Sequence, residues 1–298
     1  MGRSSFDKFE SIPSDFAEYE KEETRLPVGS AGKNAVMRLT FEKFGEKTHL
    51  VDVFNQVPAR IARELYYDPY RPGLPYVLFV NPTGGIVQGD RYTYDFHLKE
   101  DAEAFITDTM ATKVYKMDLN YAARRTDIYL ENNCRLEYFP REVIAFANSR
   151  WYQLILFHVK ESAKFLFSEV FCPGRIASGE SWDFDIFASK LIIERDGKPL
   201  LMDSVVYRKK DKQISDIVFG GNKFLLNAYW YSRNAASARK LIEFKSMYGG
   251  VTEMPYQNGV IIKVLSSNLD ELKRFQLQLW RIFRKTETGT EVPELRIY

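Results

Sequence analysis

The sequence predicts a mainly β protein, in which many short strands form a sandwich, a barrel or a solenoid and two α-helices occupy the C-terminal third. Short apolar or alternating runs recur at intervals of roughly eight to twelve residues from residue 36 to about 230, separated by turn residues. Hydrophobic residues make up 45% of the 298-residue chain and aromatic residues 15%, which suffices for a large core. No internal repeat decides between a sandwich, a barrel and a solenoid.

The first elements are a hairpin and a central strand. Alternation in Val36–Phe41 and His49–Phe54, on either side of Gly45, predicts the hairpin. Tyr76–Val80 is an unbroken apolar run rich in valine and aromatic residues, which favours a strand buried on both faces. Residues 1–35 are expected to be a polar, flexible extension with at most one short helix, over 15–23, and residues 36–298 a single domain.

The same pattern predicts a long series of further strands. They are expected at Tyr92–Leu98, Ala104–Thr109, Thr126–Leu130, Arg135–Phe139, Val143–Phe146, Trp151–His158, Lys164–Ser168, Ser181–Phe187, Lys190–Glu194, Pro199–Tyr207 and Val260–Leu265. The first helix is expected over Ala235–Met247, before Gly249 and Gly250. The second is expected over Asn268–Arg284, where Asn268 can cap the N-terminus and one face is apolar.

Composition excludes several classes of function. With 42 basic and 40 acidic residues the net charge is +2, so no strong field attracts the chain to nucleic acid. The two cysteines are far apart, and the N-terminal stretch has no apolar core of a signal peptide. No apolar run approaches the roughly 20 residues of a membrane span. A soluble, cytoplasmic protein without a membrane or nucleic-acid partner is therefore expected.

A glycine-rich turn follows the central strand. Gly84 and Gly89 have the spacing of a phosphate-binding P-loop, but Asp90 and Arg91 occupy the positions of its lysine and its serine or threonine. An aspartate there repels phosphate, so the spacing does not predict a nucleotide site. Gly84, Gly85 and Gly89 are instead expected to form a structural turn between buried strands.

The sequence contains no motif for a high-affinity metal site or a tightly bound cofactor. The three histidines, His49, His97 and His158, fall in three different predicted strands, and no metal-type His or Cys spacing occurs. No nucleophile elbow is present either.

Three carboxylates, in glycine-containing loops or in an apolar run, are better candidates for a functional site than the histidines and cysteines. Asp90 closes the glycine turn, Glu180 closes a second loop, and Asp203 interrupts the apolar run of a predicted strand. Arg91, Lys113 and Arg175 are the obvious counter-charges. These groups fit either a polar cluster or water-filled passage inside a β core, or a set of structural salt bridges and turn caps.

A carbohydrate-active hydrolase with two facing carboxylates is the alternative function. Such an enzyme needs a groove with exposed tryptophan. Of the four tryptophans, only Trp182 lies near candidate acids, namely Glu180 and Asp183.

Several segments in order resemble the UreD/UreH family of urease accessory proteins. The resemblance begins at the glycine turn and depends on several blocks that follow one another in the family's order. The matching segments are Asn81–Gly85, Gly89–Arg91, Ile106–Thr107, Thr112–Tyr115, Leu136–Pro140 with Ile144 and Phe146, Gly174–Arg175, Gly179–Glu180, Pro199–Asp203 and Leu279–Arg284.

The resemblance implies a helix-like stack of strands with two helices, so a mainly β fold with a β-helix-like or sandwich arrangement of short strands is expected. It also implies a non-catalytic maturation factor that assists nickel insertion into urease. Its implied partners are the urease apoprotein and a UreF-type accessory protein, which recruits a UreG-type GTPase. Nickel is implied to pass transiently through an internal polar passage. We hypothesise that Asp90, Glu180 and Asp203 line or stabilise that passage. Supporting polar residues are Arg91, Lys113, Tyr115 and Arg175. Scattered oxygen ligands hold nickel weakly, which suits a conduit.

Overall fold

Two β-sheets face each other in the computed structural model, which describes residues 12–20, 33–245 and 247–294. The strands are β1 Asn34–Phe44, β2 Lys47–Gln56, β3 Arg60–Ile61, β4 Tyr76–Val80, β5 Arg91–Leu98, β6 Glu103–Asp108, β7 Thr112–Val114, β8 Ala122–Leu130, β9 Arg135–Phe139, β10 Val143–Ala145, β11 Arg150–Val159, β12 Lys164–Cys172, β13 Ile186–Arg195, β14 Lys198–Arg208, β15 Phe224–Tyr231, β16 Tyr248–Glu253 and β17 Gly259–Ser266. The α-helices are α1 Ser215–Phe219, α2 Ala235–Ala238 and α3 Leu269–Thr288. Short 3-10 helices cover Ser14–Tyr19, Ile176–Ser178, Lys209–Ile214, Arg239–Leu241 and Pro255–Gln257.

The chain coils between the two sheets as a solenoid does. The seven-stranded sheet has the order β14-β13-β11-β8-β5-β1-β2, and the main path of the ten-stranded sheet is β16-β17-β15-β12-β9-β6-β4-β3. From β4 to β13 successive long strands alternate between the sheets, and neighbours within each sheet are parallel and in register. The predicted β-helix-like stacking is confirmed, and antiparallel strands at the ends of both sheets complete it.

The core has an inner and an outer part. The inner faces of the sheets enclose the main apolar cluster, which includes Trp151, Phe157 and Phe165. A second cluster lies between the outer face of the ten-stranded sheet and α3, to which Phe275 and Leu279 contribute. On the outer face of the seven-stranded sheet, residues 12–20 pack through the fully buried ring of Phe16.

The structure corrects the predicted helices. The helix expected over Ala235–Met247 ends after the single turns α2 and Arg239–Leu241, and Ile242 is extended. Phe244 instead packs into the outer cluster, and its ring lies where a Cβ of Gly249 would be, which directs the chain into edge strand β16. Helix α1 was not predicted. Helix α3 is confirmed with its Asn268 cap, and it continues to Thr288 because Gly289 provides the left-handed residue that ends it.

One predicted strand is also wrong. Residues 181–185 of the strand expected over Ser181–Phe187 form no strand, and β13 begins at Ile186. Trp182 has a φ of 60° there and is buried together with Phe184. Because this irregular segment buries two aromatic residues that are two positions apart, its sequence has the same alternation of apolar and polar residues as a strand. Residues 21–23 of the helix expected over 15–23 lie outside the described residues.

Candidate functional site

The regular register of the solenoid aligns polar side chains on the inner face of the seven-stranded sheet. Arg124 in β8 lies opposite Gln153 in β11, and Gln153 lies opposite Ser189 in β13. Because residues directly opposite each other in neighbouring strands point to the same face, the three side chains form one row across the sheet. Their neighbours on this face, such as Trp151 and Ile155, belong to the main core.

A second row faces the first from the ten-stranded sheet. Glu169 in β12 lies opposite Asn227 in β15, and Asn227 lies opposite Lys263 in β17. Phe167 and Tyr229, two residues away along these strands, belong to the main core, so Glu169 and Asn227 also point inward. We call Arg124, Gln153, Ser189, Glu169, Asn227 and Lys263 the interior polar rows.

Hydrogen bonds link the two rows through the core. Arg124 Nη2 donates to Gln153 Oε1 at 3.0 Å and to Glu169 Oε2 at 3.3 Å. Gln153 Nε2 donates to the other carboxylate oxygen of Glu169 and to Ser189 Oγ at 2.9 Å. A buried charge is tolerated only when it is paired and hydrogen-bonded, and these contacts meet that condition for Glu169.

Burial and charge shift the titration of this network. Arg124 is 4% exposed and Glu169 6% exposed. Burial raises the pKa of Glu169, while the charge of Arg124 opposes the increase. Burial also raises the pKa of Asp108 to about 6, again against the charge of Arg124. For both carboxyl groups, the charge of Arg124 is the largest of the influences that favour the ionised form.

The rows lead at one end to a small cavity beside the glycine turn. This cavity has a volume of about 40 Å³, and both Asp108 and Arg124 line it. Its wall includes Gly84, Gly85 and Lys113, so the structure brings three of the sequence-predicted residues to the polar interior. Gly85 is required because a Cβ would lie 2.4 Å from a ring carbon of Tyr115.

Asp203 lies at the other end of the rows. Its carboxylate accepts a hydrogen bond of 2.6 Å from the Tyr229 hydroxyl and pairs with Lys263 Nζ at 2.6 Å. Asp203 lies on the same face of β14 as Leu201 and Val205, because alternate residues of a strand share a face, and Leu201 packs against the main core. The counter-charge is Lys263, which was not predicted from the sequence.

Asp90 is used in a local turn. The side chain is 1% exposed and accepts hydrogen bonds from the backbone N–H groups of Lys33 at 3.0 Å and Val87 at 3.1 Å. Burial raises its pKa, and these two hydrogen bonds oppose the increase. Arg91 donates to the carbonyl oxygens of Asp90 and Tyr121, at 3.1 and 2.6 Å. Gly89, with a φ of 75°, provides the left-handed residue that this turn requires.

Glu180 belongs to a line of contacts across the loops. Its carboxylate accepts a hydrogen bond of 3.0 Å from Ala147 N–H and pairs with Arg175 at 2.5 Å. Burial alone would raise the pKa of Glu180, but the hydrogen bonds from Arg175 outweigh burial and lower it. Arg175 covers the Phe146 ring at 4.5 Å, Phe146 contacts the Tyr115 ring at 5.2 Å, and the Tyr115 hydroxyl donates to the Gly84 carbonyl.

Arg124, Gln153 and Glu169 were not predicted from the sequence, although a signal was present. Phe165, Phe167 and Phe171 mark the inward positions of β12, and Glu169 interrupts that alternation as Asp203 does in β14. What no pattern could provide is the register that places Glu169 opposite Arg124, 45 residues away along the chain.

The described residues do not form the metal site of a metalloenzyme or the exposed tryptophan surface of a carbohydrate-active enzyme. Residues 12–20, 33–245 and 247–294 contain no group of three or more His, Cys, Asp or Glu side chains that could hold a metal ion. All four tryptophans, Trp151, Trp182, Trp230 and Trp280, are at most 5% exposed, so none can form the sugar-stacking surface that the alternative function needs. None of the helices formed by the described residues is long and apolar enough to cross a membrane.

A separate groove lies away from the polar interior. It has a volume of about 190 Å³ and lies between α3 and the outer face of the ten-stranded sheet. Phe105, Phe139 and Trp280 line it, and the Lys273–Glu142 ion pair lies at its side. Its lining is mostly apolar and shares no residue with the interior polar rows.

Comparison with known proteins identifies the family. The model of the UreD urease accessory protein family matches residues 33–298. Urease accessory protein UreD 2 of Brucella suis is 30% identical over 291 residues, covering 94% of this chain and 96% of the relative. The UreD proteins of Cenarchaeum symbiosum and Photorhabdus laumondii are each 29% identical, over 91% and 94% of this chain and 99% and 91% of their own lengths. The chain therefore belongs to the UreD urease accessory protein family.

Proposed function

We propose that the chain is a non-catalytic urease maturation factor, acting in the cytoplasm, that binds apo-urease and guides nickel into it through the interior polar rows. A UreF-type accessory protein and, through it, a UreG-type GTPase are the further partners in this proposal. Membership of the UreD family over residues 33–298 is the observation that carries it. Nickel is the transient cargo of the protein rather than a resident cofactor.

The chemistry of the rows supports this role. Carboxylate, amide and hydroxyl oxygens lie between the two sheets, from the cavity at Asp108 to the Asp203–Lys263 pair, and the two cations of the rows, Arg124 and Lys263, lie near the two ends. Oxygen ligands hold nickel less tightly than clustered imidazole or thiolate groups, so an ion can leave each position again. Buried Thr126 Oγ1 and Asn227 Oδ1 have no hydrogen-bond partner among the described residues and would be available to a hydrated ion.

Asp203 is the first of the sequence-predicted carboxylates to test, because it terminates the rows. Asp90 and Glu180 are engaged in local hydrogen bonds with the backbone, so we expect their alanine variants to act mainly through the turns that they hold. Their contact with nickel stays a prediction.

The experiment expresses a urease operon with and without this chain in medium that contains nickel. Urea hydrolysis and the nickel content of the purified urease are measured together. We expect both to fall without the chain and to return on co-expression. Full nickel loading without the chain would refute the maturation role.

Variants then locate the passage. Asp203→Asn keeps the volume of the side chain but removes its charge, and we expect it to slow nickel loading. Asp196→Asn, on the exposed turn between β13 and β14, is the matched control because its only described ion pair, with Lys160, is at the surface. Equal loading rates for the two variants would exclude Asp203 from the route.

A further inference from the structure

The small cavity beside the glycine turn is lined mainly by positive charge. Arg60, Lys113 and Arg124 all belong to its wall. Among the described residues of that wall, Asp108 carries the one carboxylate. Glu169 also pairs with Arg124, so the surroundings of the cavity keep an excess of one positive charge at neutral pH. Such an excess attracts an anion, and the attraction is strong where water is largely excluded.

Lys113 supplies the uncompensated charge. Its side chain is half-buried, and no hydrogen bond or ion pair joins its ammonium group to another described residue. The carboxylate of Asp108 is directed elsewhere, since it accepts a hydrogen bond of 3.2 Å from the backbone N–H of Arg141. A cation that is partly removed from water is stabilised by an anion in contact with it. Lys113 is therefore free to bind a ligand in the cavity.

The guanidinium of Arg124 has an unused donor at the same place. Its two described hydrogen bonds, to Gln153 and Glu169, both leave from Nη2. Nε is buried and has no partner among the described residues, in a side chain that is only 4% exposed. Buried donors are normally satisfied. Because Arg124 lines the cavity, this N–H indicates a site that takes an additional acceptor.

The glycine turn forms one wall of the cavity and adds no negative charge to it. Gly84 and Gly85 line the cavity. The carboxylate of Asp90, whose charge argues against a P-loop, is directed to the backbone N–H groups of Lys33 and Val87. A volume of about 40 Å³ holds about three water-sized groups, so it admits a small anion and excludes a nucleotide.

We propose that this cavity binds a small monovalent oxyanion, held by Lys113 and Arg124, with Arg60 at the exposed side. A guanidinium favours an oxyanion because its planar N–H groups match two oxygen atoms at once. The bound anion would neutralise the excess charge and bridge three strands, β3, β7 and β8. The site does not depend on the maturation role, and its test involves neither urease nor nickel.

The first experiment measures thermal unfolding and calorimetric binding of the purified full-length protein at neutral pH with sodium nitrate or sodium formate. Sodium gluconate at the same ionic strength is the matched salt, since its anion has the same charge but is too large for the cavity. We expect nitrate or formate, and not gluconate, to raise the midpoint temperature, because a ligand of the folded state stabilises it. The two small anions distinguish an inorganic oxyanion from a carboxylate as the ligand. Equal effects of all three salts would overturn the site.

The second experiment locates the anion with Lys113→Met, which keeps the aliphatic stem and removes the charge. We expect the affinity for the stabilising anion to fall at least about tenfold, because a charge-assisted contact is lost. Folding should be preserved, since the ammonium group has no partner among the described residues.

Lys116→Met is the matched control. Lys116 lies three residues further along the chain, is 62% exposed and pairs with Asp118 at 2.9 Å. Its substitution should leave the affinity for the anion unchanged. Wild-type affinity in Lys113→Met, or an equal loss of affinity in both variants, would show that the cavity is not the binding site.

Discussion

At the residue scale, Arg284 is a charged side chain with no exposed surface. Its guanidinium donates to Asp68 at 2.8 Å, to the Tyr76 hydroxyl at 2.8 Å and to both oxygens of Glu137. Glu137 also accepts a hydrogen bond of 2.7 Å from the Trp280 ring nitrogen. These contacts fasten α3 and the loop before β4 to the outer face of the ten-stranded sheet.

We predict that Arg284→Met destabilises the protein by about 3–5 kcal/mol, because two carboxylates stay buried without their cation. Urea denaturation compared with the wild type measures the loss. Lys285→Met is the control, since Lys285 is 66% exposed and its substitution should change stability by less than about 0.5 kcal/mol. Equal stabilities of the two variants would contradict a role of Arg284 in fastening α3.

Gly85 gives a second prediction at this scale. A methyl group there would lie 2.4 Å from a Tyr115 ring carbon and 2.9 Å from the Lys113 carbonyl oxygen. Gly85→Ala should therefore cost about 1–3 kcal/mol of stability through overpacking. Gly250→Ala is the matched control, because nothing among the described residues lies within 4 Å of the position that a methyl group would take there. Thermal unfolding of both variants measures the effect on the midpoint temperature. An unchanged midpoint for Gly85→Ala would refute the prediction.

At the scale of elements, the outer face of the seven-stranded sheet has a ladder of rings. His97, Tyr129 and His158 lie opposite one another in β5, β8 and β11. Both imidazole rings stack on Tyr129 with 4.3 Å between ring centroids. The next strand places Glu194 in the same row, 2.8 Å from His158 Nδ1.

This ladder makes stability depend on pH. Burial lowers the pKa of His158, but hydrogen bonds to Asp127 and Glu194 outweigh burial and raise it. Since the folded-state pKa lies above the unfolded value of about 6.5, the stabilisation is fully present below that pH and is lost as pH rises through the folded-state value. The stability difference between wild type and His158→Gln should therefore shrink from pH 5.5 to pH 8, as measured by urea denaturation.

His49→Gln, in the edge strand β2, controls for the loss of a histidine as such. A stability difference for His158→Gln that is constant over this pH range would show that packing on Tyr129, and not charge, is what His158 contributes.

At the scale of the whole molecule, one edge is apolar. Strand β2 ends the seven-stranded sheet, and large apolar side chains around it are 42–55% exposed. They are Phe44, Val51, Val53, Phe54 and Val57. An exposed apolar edge strand is a site of association unless something covers it.

We predict that the isolated chain self-associates and that Val53→Lys/Phe54→Lys reduces the association. Lysine on an edge strand opposes pairing with another chain. Light scattering after size-exclusion chromatography measures the mass. A monodisperse wild-type monomer at high concentration would count against an obligate partner surface on this molecule.

Local pattern was sufficient for most of the strands and for α3. The alternation of β1 and β5, and the cap, apolar stripe and basic end of α3, are properties of neighbouring residues, so they can be recognised without knowledge of the fold. The same reasoning failed at Ala235–Met247, where Phe244 packs against distant residues and overrides helix propensity. It also failed at Ser181–Phe187, where irregular backbone buries Trp182 and Phe184.

The candidate site was predicted only in part, because its contacts also join residues that are distant in the sequence. Sequence identified Asp203 as a carboxylate within an apolar strand, and the resemblance to UreD proteins identified the family that the comparisons confirm. It did not identify Lys263 as the partner of Asp203, because the two lie 60 residues apart on different sheets.

The sequence by itself determined the fold class, the family and the expectation of a polar interior. Only the tertiary structure decided which polar groups meet there. The position of each strand in the solenoid depends on its pairing with the strands before it. These pairings bring Arg124, Gln153 and Glu169 together from three separate strands. Since the low dielectric of the core makes each of these contacts strong, the register of these pairings determines the chemistry available inside the protein.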